Sequence, residues 1–286
     1  MVWKLRDWQG GDPAAQVQQC LDLGLSWLSP KIVDGADERW EAFWVKNQNA
    51  DLLPVVVPLL RAAGVQVVGW GWTYATNSAA EAAKTIDICH KHGIDHYQID
   101  AESHYVKDGS APIADAYCVA LEAEPKITHS LCSYRYPLTY QAKFPVMAFA
   151  PYMEAWCPQV YFLGDSRPDG GAIQLEISKK QYDDKIRELP YFPIFPTYPW
   201  QTWRASYVQL TQAFAKAVEL GCPAAGVWDL TQATTEQLNA ISDFEWPETP
   251  APPEPEPPDH ISDLIEIASG MRGFAGALEE IAEELS

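Results

Sequence analysis

The sequence has few basic residues for its length. Its 20 Lys and Arg stand against 39 Asp and Glu, which gives a formal net charge of −19 at pH 7. Nucleic acids and anionic membrane surfaces are bound through clustered Lys and Arg side chains. The composition therefore argues against both as partners. It favours neutral or cationic ligands and good solubility.

Long apolar runs and a targeting segment are also lacking. The most apolar stretch, 52–72, is interrupted by Pro54, Pro58, Arg61 and Gln66. This pattern predicts a helix followed by a strand and not a membrane span. The N-terminal residues contain neither an apolar core region nor a small-residue cleavage site. We therefore expect synthesis in the cytoplasm without a signal peptide, with virion association and release by lysis left open.

Several catalytic and cofactor signatures are missing. The six cysteines are scattered singly without a CxxC pair, which is typical of small buried hydrophobic side chains. No glycine-rich phosphate fingerprint follows a predicted strand, which argues against a dinucleotide-binding fold. No Gly-x-Ser-x-Gly nucleophile elbow is present, and no cysteine has an obvious His partner. We expect no cofactor.

What the sequence does contain, up to about residue 246, is an alternation of short apolar strands and amphipathic helices. The predicted strands are 3–8, 26–33, 65–72, 96–101, 127–134, 159–163, 192–198 and 225–230. The clearest predicted helices are 79–92, 113–123, 179–189 and 204–220. Such alternation implies right-handed crossovers and a parallel sheet. At roughly 30 residues per unit, closure into an α/β barrel of the (β/α)8 TIM type is favoured over an open sheet.

The C-terminal part of the chain has a different composition. Residues 247–258 read PETPAPPEPEPP, which predicts an extended linker and places the end of the barrel near Trp246. Residues 259–286 predict an amphipathic helix, because apolar residues recur there at the three-and-four spacing of a coiled-coil seam. This helix could bind a protein partner, mediate self-association or fold back on the barrel.

Two carboxylates mark the end of the fourth predicted strand. Asp100 and Glu102 lie two residues apart, so they point to the same side of a strand that rises about 3.3 Å per residue. In such barrels the chemistry lies at the carboxyl ends of the strands, and a carboxylate pair there can bracket a glycosidic bond. Glu102 is the predicted general acid. Asp100 would stabilise positive charge or hold a substrate N-acetyl group. Alternatively, both cap loops or pair with Lys31 or Arg135.

Aromatic residues are concentrated near the same predicted strand ends. Flat rings bind the apolar face of a sugar ring with little loss of conformational entropy, although such residues also plug barrel ends. The predicted substrate-binding residues are Trp8, Trp70, Trp72, Tyr74, Tyr136, Tyr161, Tyr198, Trp200, Trp228 and Asp229. His104 lies close to the carboxylates, but a single histidine without further ligands does not predict a metal site.

The segments Asp7-Trp8-Gln9-Gly10 and Asp100-Ala101-Glu102 together resemble the family 25 glycoside hydrolases, which are muramidases of bacteria and phages. The resemblance implies a barrel over residues 1–246, with Glu102 as proton donor and Asp100 as its partner. It further implies that Asp7 is an electrostatic or substrate-positioning carboxylate. Asp229 would occupy the place of a further acidic residue at the rim.

The leading functional hypothesis is a glycosidase that acts on peptidoglycan or another bacterial surface polysaccharide. Two rivals remain. One is a non-catalytic carbohydrate-binding or structural component of a virion or tail that retains the barrel. The other is a metal-dependent hydrolase that uses His104, for which chelation would abolish activity.

Overall fold

The computed structural model describes residues 1–36, 50–139 and 141–247, and residues 1–246 form one compact unit. Its strands are β1 (Trp27–Leu28), β2 (Lys31–Asp34), β3 (Gln66–Val67), β4 (Gly69–Thr73), β5 (His96–Ala101), β6 (Thr128–Cys132), β7 (Ala155–Trp156), β8 (Ile194–Pro196) and β9 (Gly226–Trp228). Its helices are α1 (Pro13–Asp22), α2 (Leu53–Ala62), α3 (Ser78–His92), α4 (Ala111–Leu121), α5 (Val146–Phe149), α6 (Gly170–Lys185), α7 (Tyr207–Glu219) and α8 (Thr235–Ser242). The predicted linker beyond residue 247 and the helix 259–286 lie outside the described residues.

Every strand pairing among the described residues is parallel. The central sheet has the order β2-β4-β5-β6-β7, and the pairs β1-β3 and β8-β9 form separate two-stranded sheets. Single bridges continue this order, from Val2 to Pro30 on one side and from Gln159 to Ile194 on the other. The predicted parallel α/β architecture is therefore confirmed, while the described strands do not form one continuous closed ladder. No described helix combines the length and the apolarity needed to cross a bilayer.

Two predicted strands are wrong. The predicted strand 3–8 is reduced to the bridge at Val2, because the chain turns at once into a 3-10 helix, Trp8–Gly11. Gln9 and Gly10 adopt positive φ angles of 50° and 61° there, which no strand accommodates. The predicted strand 159–163 is replaced by β7, four residues earlier in the chain, and Gln159 forms only isolated bridges to Tyr134 and Ile194.

Helix boundaries follow local capping where the caps are strong. The Asn77 side chain accepts a hydrogen bond from the Ala80 N–H at the start of α3, and Gly93 ends it with φ 65°. That helix was predicted from the same two signals and is confirmed. Helix α6 instead begins at Gly170, nine residues before the predicted start at 179. Its first turn packs closely on the neighbouring Phe162, since a Cβ on Gly171 would meet the Phe162 ring at 2.7 Å.

The turn between β4 and α3 is held by one buried carboxylate. Glu81 is 2% exposed, and it accepts backbone N–H bonds from Tyr74, Thr76 and Asn77 at 2.8, 3.1 and 3.3 Å. It also accepts from the hydroxyl groups of Thr73 and Thr76. A charged acceptor shared by several donors is a strong restraint on a loop. Glu81 thereby fixes the segment that carries the predicted site residue Tyr74.

We expect Glu81→Ala to lower the free energy of unfolding by about 3 kcal/mol, because it removes the charged acceptor of three partly buried N–H groups and of the buried Thr73 hydroxyl. Urea unfolding followed by circular dichroism measures the change. Glu81→Gln, which retains one acceptor oxygen, should lose less. An alanine variant within about 0.5 kcal/mol of the wild type, the usual range for surface substitutions, would contradict this role.

Candidate active site

The carboxylate pair lies where strand β5 ends. Asp100 is the second-last residue of β5 and is 5% exposed, and Glu102 follows the strand and is partly buried. Both face a cavity of about 210 Å³ at the carboxyl ends of the strands. The residues lining it are Met1, Trp3, Lys31, Trp70, Trp72, Asp100, Glu102, Cys132, Gln159, Tyr161 and Trp228. The predicted convergence of strand ends on one site is therefore seen for six of the predicted residues.

One amide group holds both carboxylates. The Gln159 Nε2 atom donates to Glu102 Oε1 at 2.7 Å and to Asp100 Oδ1 at 3.2 Å. Gln159 is not among the site residues predicted from the sequence. Its signal was its position two residues before Tyr161, because alternate residues of an extended segment point to the same side. Gln159 thus ties the two carboxyl groups into one hydrogen-bonded unit.

Burial makes both carboxyl groups hard to ionise. The pKa of Asp100 lies well above its usual value because the group is desolvated, and the neighbouring Glu102 raises it further. Lys31 opposes this shift. Burial also raises the pKa of Glu102, while hydrogen bonds from Gln159 and Asp100 limit the rise. We therefore expect the pair to retain one shared proton at a pH where isolated carboxyl groups have lost theirs.

Aromatic rings form the walls of the cavity. Trp70 and Trp228 meet edge to face with their centroids 5.0 Å apart, and Trp3 lies 6.5 Å from Trp228. On the other side, Tyr161 packs edge to face against Tyr198 at 5.5 Å. Flat aromatic walls around a polar floor suit a sugar ring, which has apolar faces and polar edges.

A second aromatic group lies beside the cavity. Trp72 donates through Nε1 to His104 Nδ1 at 3.2 Å, and the Tyr74 ring packs against His104 at 4.9 Å. The histidine considered as a metal ligand is therefore a hydrogen-bond acceptor for a cavity residue. Within residues 1–36, 50–139 and 141–247, no group of three His, Cys, Asp or Glu side chains could hold a metal ion.

The structure does not bring Asp7 and Trp8 into the site. The Asp7 carboxylate lies at the surface, 3.5 Å from Lys4 Nζ. Trp8 is 3% exposed, belongs to the hydrophobic core, and donates from its indole to Gln19. Both predicted positions fail because the expected first strand is replaced by a turn, which directs these side chains away from the cavity.

Asp229 is also placed elsewhere. Its carboxylate is 2% exposed and accepts from the Thr231 N–H at 3.0 Å, the Thr231 hydroxyl at 2.8 Å and Gln232 Nε2 at 3.1 Å. It caps the 3-10 helix Leu230–Gln232 that follows β9. A short polar side chain at such a position serves the local backbone, so Asp229 is not a rim carboxylate.

Three further predicted residues, Tyr136, Tyr198 and Trp200, do not line the cavity. Tyr198 packs against Tyr161, which lines the cavity. The Tyr136 hydroxyl donates to the Gln174 carbonyl at 3.3 Å, and the Arg135 guanidinium lies 5.1 Å from the Tyr136 ring. Trp200 is 43% exposed. These residues could contact only a ligand that extends beyond the cavity.

A larger cavity of about 460 Å³ opens at the amino ends of the strands, where Trp27, His96 and Phe192 contribute to its lining. It is separated from the carboxylate cavity by the layer that contains Gln98. The Gln98 amide is occupied, since it accepts from Ser29 Oγ at 2.7 Å and contacts Cys157 Sγ at 3.1 Å. In parallel α/β folds the chemistry lies at the opposite, carboxyl end of the strands. The carboxylate cavity is therefore the candidate active site.

The fold matches that of known carbohydrate-active enzymes. A chitinase from Bacteroides thetaiotaomicron is similar with a TM-score of 0.65 at 11% identity, over 84% of this chain and 94% of that one. The catalytic domain of a hyperthermophilic chitinase from Pyrococcus furiosus gives 0.63 at 11% identity, over 85% and 91%. The Bacillus cereus spore cortex-lytic enzyme SleL gives 0.59 at 8% identity, over 82% and 71%. At these identities the likeness concerns the fold. No protein-family model and no curated protein sequence matches the chain.

Proposed function

We propose that this protein is a glycoside hydrolase that cleaves a polysaccharide containing N-acetylated amino sugars, with Glu102 as the general acid. The observation that carries the proposal is the buried carboxyl pair, joined through one Gln159 nitrogen at the floor of an aromatic-walled cavity. The names of the similar structures, chitinases and a spore cortex-lytic enzyme, support chitin-like or cell-wall glycan as the substrate class.

The position of the two carboxyl groups favours one course of reaction. Inverting glycosidases keep their carboxyl groups roughly 6.5–9.5 Å apart, so that a water molecule fits between them and the sugar. Asp100 and Glu102 come from one strand, point to the same side and share a hydrogen-bond donor. They cannot approach the anomeric carbon from opposite faces. The nucleophile is therefore better supplied by the substrate, through the carbonyl oxygen of its own acetamido group.

The proposed reaction has two steps. The acetamido oxygen forms a bond to the anomeric carbon while the glycosidic bond breaks, and Glu102 gives its proton to the leaving oxygen. Asp100, as a carboxylate, accepts the acetamido N–H and stabilises the positive charge of the cyclic intermediate. Water then attacks the anomeric carbon and passes a proton to Glu102, which restores the acid and the acetamido group. Retention of the anomeric configuration follows from the two displacements.

The test is release of reducing ends from purified peptidoglycan, chitin oligosaccharides and their fully de-N-acetylated counterparts. Wild-type protein should cleave an acetylated glycan, give a product of retained configuration by NMR, and leave the de-N-acetylated glycan intact. Binding of an acetylated glycan without cleavage under any condition would favour the non-catalytic carbohydrate-binding alternative. Equal cleavage of both forms would rule out participation of the acetamido group.

Removal of the Gln159 amide should impair the pair without removing either carboxyl group. We expect Gln159→Met to lower kcat by about 10- to 100-fold, because a hydrogen bond to a charged group contributes about 1.5–3 kcal/mol. The Gln159 hydrogen bond lowers the pKa of Glu102. Its loss should therefore raise that pKa and move the basic limb of the pH–rate profile to higher pH. Gln174→Met is the matched control, because that amide contacts Asp165 outside the cavity at 3.2 Å. Unchanged kcat and pH profile in Gln159→Met would refute this role.

A further inference from the structure

A buried lysine shares the cavity with the carboxyl pair. Lys31 is 5% exposed, and its Nζ lies 3.1 Å from Asp34 Oδ1, which is itself 8% exposed. The ammonium group also lies over the Trp70 ring, 5.2 Å from its centroid. Burying an ammonium group costs free energy unless the group is paired. The ion pair with Asp34 and the contact with Trp70 offset this cost for Lys31.

The lysine is held from the outer side by a short chain of contacts. The Tyr74 hydroxyl donates to Asp34 Oδ1 at 3.0 Å, and Asp34 in turn pairs with Lys31. Gly35 makes room for this arrangement, because a Cβ at that position would meet the Tyr74 ring at 2.5 Å. Strand register places Asp34 beside Trp72 and Trp72 beside Asp100. Asp34 thus lies level with Asp100 in the sheet, with strand β4 between β2 and β5.

We propose that Lys31 is a positioning residue for the shared proton, whose charge favours ionised Asp100 and thereby places the proton on Glu102. The inference rests on the proposed function, in which Asp100 must be a carboxylate when Glu102 is the acid. In the resting pair, deeper burial favours the neutral form of Asp100 over that of Glu102. The positive charge of Lys31 on the Asp100 side lowers the free energy of moving the proton to Glu102. Burial lowers the pKa of Lys31, while Asp34 and Asp100 oppose this shift and favour its charged form. Asp34 limits this effect, because its negative charge acts on Asp100 in the opposite sense.

Other titratable groups also face the pair and must be separated from Lys31 in any measurement. The pKa of the buried Met1 α-amino group lies at about 6, so it titrates in the working range of a rate profile. The Cys132, Tyr161 and Tyr198 side chains interact with the pair, but burial raises the pKa of each, so they stay neutral near pH 7. A site-resolved titration of Asp100 is therefore more decisive than a pH–rate profile alone.

The experiment follows the carboxyl 13C resonance of Asp100 in full-length protein with labelled Asp, assigned by its loss in Asp100→Asn. Lys31→Met should move the Asp100 titration upward by about one pH unit or more, the size of effect typical of a nearby opposite charge. It should also lower kcat about tenfold or more, with a smaller change in KM. Asp34→Asn should move the titration downward, because Lys31 then acts on Asp100 without its counter-charge. Lys31→Arg, which keeps the charge, should restore most of the wild-type behaviour.

Opposite shifts in Lys31→Met and Asp34→Asn are the signature of an electrostatic role, since mere loss of structure would not reverse sign between them. If Lys31→Met does not fold, the double variant Lys31→Met/Asp34→Asn removes both charges together and should give a smaller upward shift. No shift, or shifts of the same sign, would overturn the proposal. If wild-type protein cleaves no glycan while the opposite shifts appear, the proposed function fails and the role of Lys31 stands.

Discussion

Glu102→Gln is expected to lower kcat for glycan cleavage at least about a thousandfold while substrate affinity changes little. Glutamine occupies nearly the same volume and can still bond to Gln159, but it has no acidic proton to give to the leaving oxygen. Positioned general acids contribute roughly 10²–10⁴ in rate, and Glu102 serves in both steps of the proposed course. The partial burial of Glu102 and the raised pKa that follows from it are the properties such an acid requires.

The measurement is the initial rate of reducing-end release, together with calorimetric binding of the same glycan. Glu154→Gln is the matched control, because that carboxylate is exposed and lies just before β7, outside the cavity. The control should retain wild-type kcat. Cleavage by Glu102→Gln at more than about a tenth of the wild-type rate would eliminate Glu102 as the acid, even if the protein remained a glycosidase.

The parts of this site that the sequence predicts correctly depend on local rules. Strand β5 is predicted at its observed bounds, because an apolar run follows a glycine helix stop, and alternation within it places Asp100 and Glu102 on one side. Helix α3 is predicted for the same reason, since both of its caps lie next to it in sequence. No pairing partner needs to be known for either inference.

The site residues that the sequence does not predict are brought together by strand pairing, which is not encoded locally. Gln159 reaches both carboxyl groups across more than 50 positions of sequence, and it is held by two isolated bridges and not by a regular strand. The sequence names Lys31 only as an alternative ion-pair partner of the carboxyl groups. In the structure it pairs with Asp34 and lines the cavity, because β2 lies next to β4. Conversely, Asp7 and Trp8 are expected at the rim because they end the predicted strand 3–8, and the turn at Gln9 and Gly10 prevents that strand.

Replacing Asp100 by Asn should reduce activity strongly and stabilise the fold at the same time. We expect kcat to fall by about 10²–10³, the usual loss when a preorganised electrostatic group is removed at the reacting centre. The Asn amide is neutral, so it cannot supply the negative charge that stabilises the positively charged cyclic intermediate. Glu102 still provides the acid, so the loss should be smaller than in Glu102→Gln.

The stability effect has a definite sign because the pKa of Asp100 is raised in the folded protein. In acid, both the folded and the unfolded protein carry the proton, and the group does not affect the balance. As the pH rises through the ordinary value of about 3.9, the unfolded chain releases the proton and the folded protein keeps it. The stability of the wild type therefore falls from about pH 4 up to the pKa of Asp100 in the folded protein. The Asp100→Asn variant does not lose this stability, because Asn does not titrate.

The difference in Tm between Asp100→Asn and the wild type should consequently be small near pH 4 and grow towards neutrality. For a domain of this size each kcal/mol of differential stability corresponds to about 2–4 °C in Tm. Asp95→Asn, at an exposed position just before β5, should show no such trend. A pH-independent difference would mean that Asp100 is ionised without cost in the folded protein. In that case the buried carboxyl pair would not share a proton, and Lys31 would have no proton to position.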